Sequence, residues 1–102
     1  MGFNLEDKFE DLKKEIKTAF PSKRDNDENF IEYNLTRIKN MLYNEQYLLC
    51  YYRFQHLSKY LGEFVNKYNP NAKDIEMMMH SKSKFEEALK EAAKKDPDFR
   101  EI

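Results

Sequence analysis

A stretch of the chain from Asp27 to Tyr68 contains one glycine and no proline, and it holds all seven tyrosines. Its apolar residues recur at the spacing that places them on one face of a helix. As a single helix, the stretch would be roughly 60 Å long at ~1.5 Å per residue. A compact chain of 102 residues has a radius of gyration of only ~13 Å. The stretch must therefore break, or part of it must contact a partner.

Two polar residues, Gln46 and Arg53, interrupt an otherwise apolar ladder along this stretch. The ladder consists of Ile31, Leu35, Ile38, Leu42, Leu49, Leu57, Tyr60, Phe64 and Tyr68. Because the ladder keeps its phase and contains no turn-forming Gly or Pro, we expect one long central helix over residues 27–68. The alternative is a helical hairpin. Its break would fall near Asn40–Asn44, because asparagine side chains compete for local backbone hydrogen bonds.

The chain before this stretch predicts one amphipathic helix over residues 5–19. Phe9, Leu12 and Ile16 share one face of it, and Asn4 is a suitable N-cap. Pro21 ends the helix, because the residue before a proline disfavours helical backbone. A polar linker follows, and Asp25 then offers a capping residue for the next helix.

The chain after the stretch predicts two further helices, over residues 71–80 and 84–95. The second begins after Ser83, because Ser83 and Glu86 have the spacing of a capping box. Phe99 and Ile102 can pack the tail on the core, or the tail can fray with them. Gly62, inside the long stretch, predicts close packing against another helix.

Composition supports an all-α protein, a small helical bundle in a single domain over residues 1–102. Charged residues make up 36% of the chain, whereas Gly and Pro are too scarce for the many turns of a β-sandwich. The net charge of −1 provides no global attraction for nucleic acid or membranes. Acidic residues near the N-terminus and a lone cysteine, Cys50, in an apolar run predict a cytoplasmic protein with a buried, reduced thiol.

The tyrosines provide the main functional prediction. Tyr43, Tyr47 and Tyr51 lie at positions i, i+4 and i+8, on a different face from the ladder. Together with Tyr52 and Phe54 they predict a partner-binding surface, because tyrosine is enriched at protein interfaces. The alternative is that the terminal helices cover both faces within one monomer.

Few residues offer chemistry. His56, Tyr60 and Glu63 form a row along one helix face, but long charged helices produce such rows often. Met77, Met78 and Met79 precede His80, yet successive helical residues point about 100° apart and cannot share one ion. Cys50 lacks a setting that would lower its pKa. We therefore expect no enzyme, no metal site and no cofactor.

The sequence predicts a non-enzymatic protein–protein interaction module, most simply a homodimeric adaptor or small inhibitor, with the homodimer contact in the apolar region Tyr47–Phe54. Its size and its Lys-, Asn- and Tyr-rich composition suggest a phage or mobile-element protein. The alternative is a dimeric nucleic-acid-binding regulator. Arg53, Lys59 and Lys67 together with the tyrosines would form its binding surface, although Glu45 and Glu63 are interspersed.

Overall fold

The computed structural model describes residues 5–101, and these residues form four helices. The helices are α1 (Leu5–Ala19), α2 (Asp25–Tyr43), α3 (Tyr47–Tyr68) and α4 (Ala72–Ala93). The all-α prediction is confirmed, and so are the bounds of the first helix. Asn4 and Ile102 lie outside the described residues.

The prediction of one continuous central helix is wrong, and the alternative of a helical hairpin is confirmed, with the break beginning at Asn44. α2 ends at Tyr43 and α3 begins at Tyr47, so the stretch is a helical hairpin with a short turn. The turn closes through backbone hydrogen bonds, from Glu45 N–H to Leu42 C=O at 3.1 Å and from Gln46 N–H to Met41 C=O at 2.9 Å. This is the Schellman arrangement, which satisfies the last carbonyls of a helix. Glu45 occupies its left-handed position with φ 57°.

The predicted ladder holds only in part beyond this turn. In α2 the predicted residues Ile31, Leu35, Ile38 and Leu42 are buried. In α3 the buried face consists of Cys50, Tyr51, Phe54, Leu57, Leu61 and Phe64. Leu49 is instead 55% exposed. Leu57 and Phe64 of the predicted ladder do belong to this buried face, so the ladder is wrong at Leu49 and holds at these two positions.

α4 is one helix, whereas the sequence predicted two that met near Ser83. Its buried residues Met78, Phe85, Leu89 and Ala93 lie seven, four and four positions apart, so a single apolar face continues past Ser83. The capping-box spacing of Ser83 and Glu86 did not interrupt this face. A true cap lies earlier, where the Asn71 side chain accepts a 2.8 Å hydrogen bond from the Asp74 N–H.

The four helices of residues 5–101 pack as a ring in chain order. α2 contacts α1 and α3, α3 contacts α4, and α4 contacts α1. The contact of α4 with α1 is more extensive than the contact of α2 with α1. Short connections make sequential neighbours antiparallel. Asp27 near the start of α2 meets Tyr68 at the end of α3, as this arrangement requires.

Aromatic side chains from different helices pack against one another inside the four-helix arrangement. Phe85 of α4 lies 5.8 Å from Phe9 of α1 and 5.1 Å from Phe54 of α3, centroid to centroid. Near the α1–α2 connection, Phe20 lies 6.1 Å from Phe64. The predicted close packing at Gly62 is wrong, because a Cβ there would meet no atom within 4 Å.

Candidate protein-binding surface

The five predicted partner-binding residues do not form one surface. The turn separates Tyr43, at the end of α2, from Tyr47, at the start of α3, so their i, i+4 relation is lost. Tyr43 is 62% exposed, whereas Tyr47 is partly buried against the core. The predicted stripe existed only on the continuous helix that the chain does not form.

Tyr51 and Phe54 lie inside the protomer. Tyr51 packs 5.4 Å from Phe99 of the tail, and Phe54 belongs to the central aromatic cluster. Both side chains are at most 2% exposed. A partner could touch them only if the bundle opened, so contact through the folded protomer is left to Tyr43, Tyr47 and Tyr52.

The outer side of the α2–α3 hairpin carries an open groove of about 520 Å³. We call it the hairpin groove, and its lining residues are Arg37, Met41, Leu49, Tyr52, Arg53 and His56. Toward the turn its wall is apolar, with Leu49 beside the partly buried Met41. Farther along α2 and α3 its wall is cationic. One small surface therefore combines an apolar wall with positively charged arginine side chains.

A buried asparagine holds one of these cations in place. Asn34, which is 1% exposed, donates from Nδ2 to the Phe30 C=O at 2.9 Å. Its Oδ1 accepts a 3.2 Å hydrogen bond from Arg53 Nη1. Arg53 thus has an anchored guanidinium rather than a freely rotating one. The position of Arg53 as an interruption in the predicted apolar ladder is explained by this role at the groove.

Both arginines lie over one exposed tyrosine. Their guanidinium carbons are 5.8 Å (Arg37) and 5.9 Å (Arg53) from the centroid of the Tyr33 ring, within the range of cation–π attraction. Of the six described residues that line the groove, two are arginines, one is histidine and none is a carboxylate. The groove is therefore locally cationic although the whole chain carries a net charge of −1.

An aromatic cluster extends the hairpin contact away from the turn. Phe30 of α2 lies 4.6 Å from Tyr60 and 5.8 Å from His56 of α3, and His56 lies 5.1 Å from Tyr60. The predicted row of His56 and Tyr60 thus does occur on one face, where its rings pack against Phe30. This packing aligns α2 with α3 and so shapes the groove.

The far end of the hairpin is closed by polar contacts. Lys67 Nζ lies 2.7 Å from Asp27 Oδ2, and the Tyr68 hydroxyl donates to the same oxygen. The hydrogen bonds from Lys67 and Tyr68 lower the pKa of the Asp27 carboxyl below its ordinary value. The Tyr68 hydroxyl also accepts a 3.0 Å hydrogen bond from the Arg24 N–H, just before α2 begins. Asp25 does not form the predicted cap, because the helix begins at Asp25 itself.

The C-terminal tail reaches the groove through Tyr52. The Tyr52 ring lines the groove, and its hydroxyl accepts a 3.1 Å hydrogen bond from the Arg100 N–H. Phe99 packs on Tyr51, and Glu101 pairs with Lys90 of α4. Tyr52 therefore touches the groove and the tail at the same time.

The remaining candidate groups show no chemical site within residues 5–101. Cys50 is buried, its Sγ lies 3.7 Å from the Ile38 C=O, and burial raises the pKa of its thiol to about 12. Met78 is buried, whereas Met77 and Met79 are exposed, so the three thioethers diverge. No three His, Cys, Asp or Glu residues in this range are grouped as metal ligands would be.

Within the same range, no helix combines the length and the apolar character that a membrane crossing requires. Comparisons of the chain with protein families, with characterised proteins and with solved structures found no match.

Sequence reasoning missed Arg37, Met41 and Leu49 as members of a surface. A signal for them was present in α3, where the positions of Cys50, Phe54, Leu57, Leu61 and Phe64 form an apolar face without a polar interruption. Choosing that face as the core turns Leu49 and Arg53 outward. The pairing with Arg37 and Met41 depends on the turn, and no local pattern encodes it.

Proposed function

We propose that this protein acts by binding another protein through the outer face of the α2–α3 hairpin, without catalysing a reaction. The observation that carries the proposal is the hairpin groove, where the half-exposed Leu49 lies beside arginine side chains. Tyrosine, methionine and arginine are enriched at protein interfaces, whereas lysine is depleted. The groove has this composition, and Tyr43 adds an exposed ring at the turn.

The proposed partner is a second protein or a second copy of this chain. A homodimer through Tyr47–Phe54 would need Tyr51 and Phe54 to leave the core, so the proposal moves the contact to the groove and Tyr43. The cytoplasmic location and the phage or mobile-element origin belong to the same proposal. They are supported by the lone cysteine and by the composition of the chain.

Site-specific photo-crosslinking in the native host tests this function. A photoreactive residue at position 49 is expected to give discrete protein adducts, because Leu49 would lie within the interface. The matched control carries the same residue at Glu10, an exposed position of α1. Mass spectrometry of the adducts then distinguishes a second copy from another protein. Equal adducts at both positions, or none at position 49, would contradict the proposal.

A second candidate, nucleic-acid binding, is favoured by Arg37 and Arg53 over Tyr33. Guanidinium groups beside exposed aromatic rings also bind single strands. An electrophoretic mobility shift at low salt tests it, because the electrostatic part of such binding is strongest there. A protein that shifts no DNA or RNA under that condition is not a nucleic-acid-binding regulator.

A further inference from the structure

We propose that the hairpin groove binds an acidic segment of a partner protein, with an apolar side chain against Leu49 and Met41 and carboxylates on Arg37 and Arg53. The inference rests on the proposed function and specifies the chemistry of the partner. The groove volume, about 520 Å³, suits one or two side chains of a bound segment.

The anchoring of Arg53 favours a carboxylate ligand. A guanidinium has five N–H donors, and the Asn34 contact uses one of them, so donors remain for a partner. Arginine and carboxylate groups pair in a planar, two-bond geometry. Because Asn34 already restricts the Arg53 side chain, this side chain loses less conformational entropy on binding than an unrestrained arginine would.

The arrangement of charge disfavours a second copy as the occupant. In a two-fold symmetric contact, the same patch of both protomers meets itself. Arg37 and Arg53 of one groove would then approach the same arginines of the other, with no carboxylate among the described lining residues to separate them. Like charges placed together at an interface weaken binding.

The apolar wall favours a protein segment over a nucleic acid. Nucleic-acid surfaces that bind single strands present aromatic rings for base stacking and a basic path for the backbone. Tyr52 and His56 also line the groove, but its wall toward the turn consists of Met41 and Leu49, whose thioether and aliphatic side chains provide neither. Met41 and Leu49 can instead pack against the apolar side chains of an amphipathic helix, and binding of such a helix in a groove is a common mode of peptide recognition.

Selection from a random peptide display library on the purified full chain tests the inference. We expect enriched peptides that are acidic and carry a large apolar residue. Their binding should weaken about tenfold in Arg37→Gln and Leu49→Ala, since each change removes one proposed contact. It should also weaken as salt rises, because the charges are near the surface. Lys73→Gln, which removes an exposed cation of α4, is the control and should bind normally.

Each other outcome has a defined meaning. Neutral or basic peptides that depend on Leu49 would overturn the acidic partner while leaving the proposed function in place. Peptides that ignore both Arg37 and Leu49, or no enriched peptides at all, would overturn the inference. Enriched peptides that match this chain would identify a second copy, and tighter binding of oligothymidylate than of any peptide would identify nucleic acid. Circular dichroism of each variant shows whether it is folded.

Discussion

At the turn between α2 and α3, we expect the substitution of Glu45 by glycine to stabilise the protein. Glu45 has φ 57°, in the left-handed region, and occupies the Schellman position where glycine is preferred. Left-handed backbone costs an L-residue ~1–2 kcal/mol. Glycine avoids this cost but loses ~0.5–1 kcal/mol more conformational entropy on folding than alanine does. Glu45→Gly should therefore raise the free energy of unfolding by about 0.5–1 kcal/mol.

Two controls separate backbone strain from the loss of the carboxylate. Glu45→Ala removes the charge and keeps the Cβ, so it should leave stability nearly unchanged. Asn69 has φ 55° after α3, but asparagine tolerates this backbone, so Asn69→Gly should gain less than Glu45→Gly. Urea unfolding gives the free energies, and a Tm scan should show a rise of ~2–8 °C for Glu45→Gly. If Glu45→Gly is no more stable than Glu45→Ala, the reasoning about strain is refuted.

Three further substitutions test the packing and the electrostatics. Because the pKa of Asp27 is lowered in the folded state, the Asp27 carboxylate stabilises the fold above about pH 4, and this stabilisation is lost as the pH falls below that value. Asp27→Asn should therefore flatten the acid side of a stability–pH curve measured by urea unfolding. Phe85→Ala should lower the unfolding free energy by ~3–5 kcal/mol, because Phe85 is fully buried between the rings of Phe9 and Phe54. A loss under ~1 kcal/mol in denaturant titration would contradict this packing. Gly62→Ala should raise the same free energy by up to ~1 kcal/mol, since a Cβ there meets open space; destabilisation would show an undetected contact.

The first helix could be predicted from sequence because its signals are local. Phe9, Leu12 and Ile16 repeat at helical spacing, and Pro21 ends the pattern on steric grounds. The α2–α3 turn was predicted only as an alternative, from Asn40 and Asn44. Its closure uses backbone hydrogen bonds, and its left-handed residue is a glutamate, which carries no turn signal.

The candidate surface was predicted only in part for the same reason. Tyr43 and Tyr52 were recognised and reach the outside of the protomer, but Tyr51 and Phe54 turned out to fill its core. Burial of a given tyrosine depended on the phase of α3, which the turn sets. Arg53 joined the groove through Asn34, a contact between two helices that residue spacing does not reveal.

The ring order of the helices has a consequence for synthesis. α1 leaves the ribosome before the other three described helices, yet the helix that covers it most extensively, α4, is made after them. The α2–α3 hairpin can form while the chain is still growing, because its connection is short. The apolar face of α1, with Phe9, Leu12 and Ile16, stays without its main cover until α4 emerges. A nascent chain would therefore expose that face to chaperones until α4 has emerged.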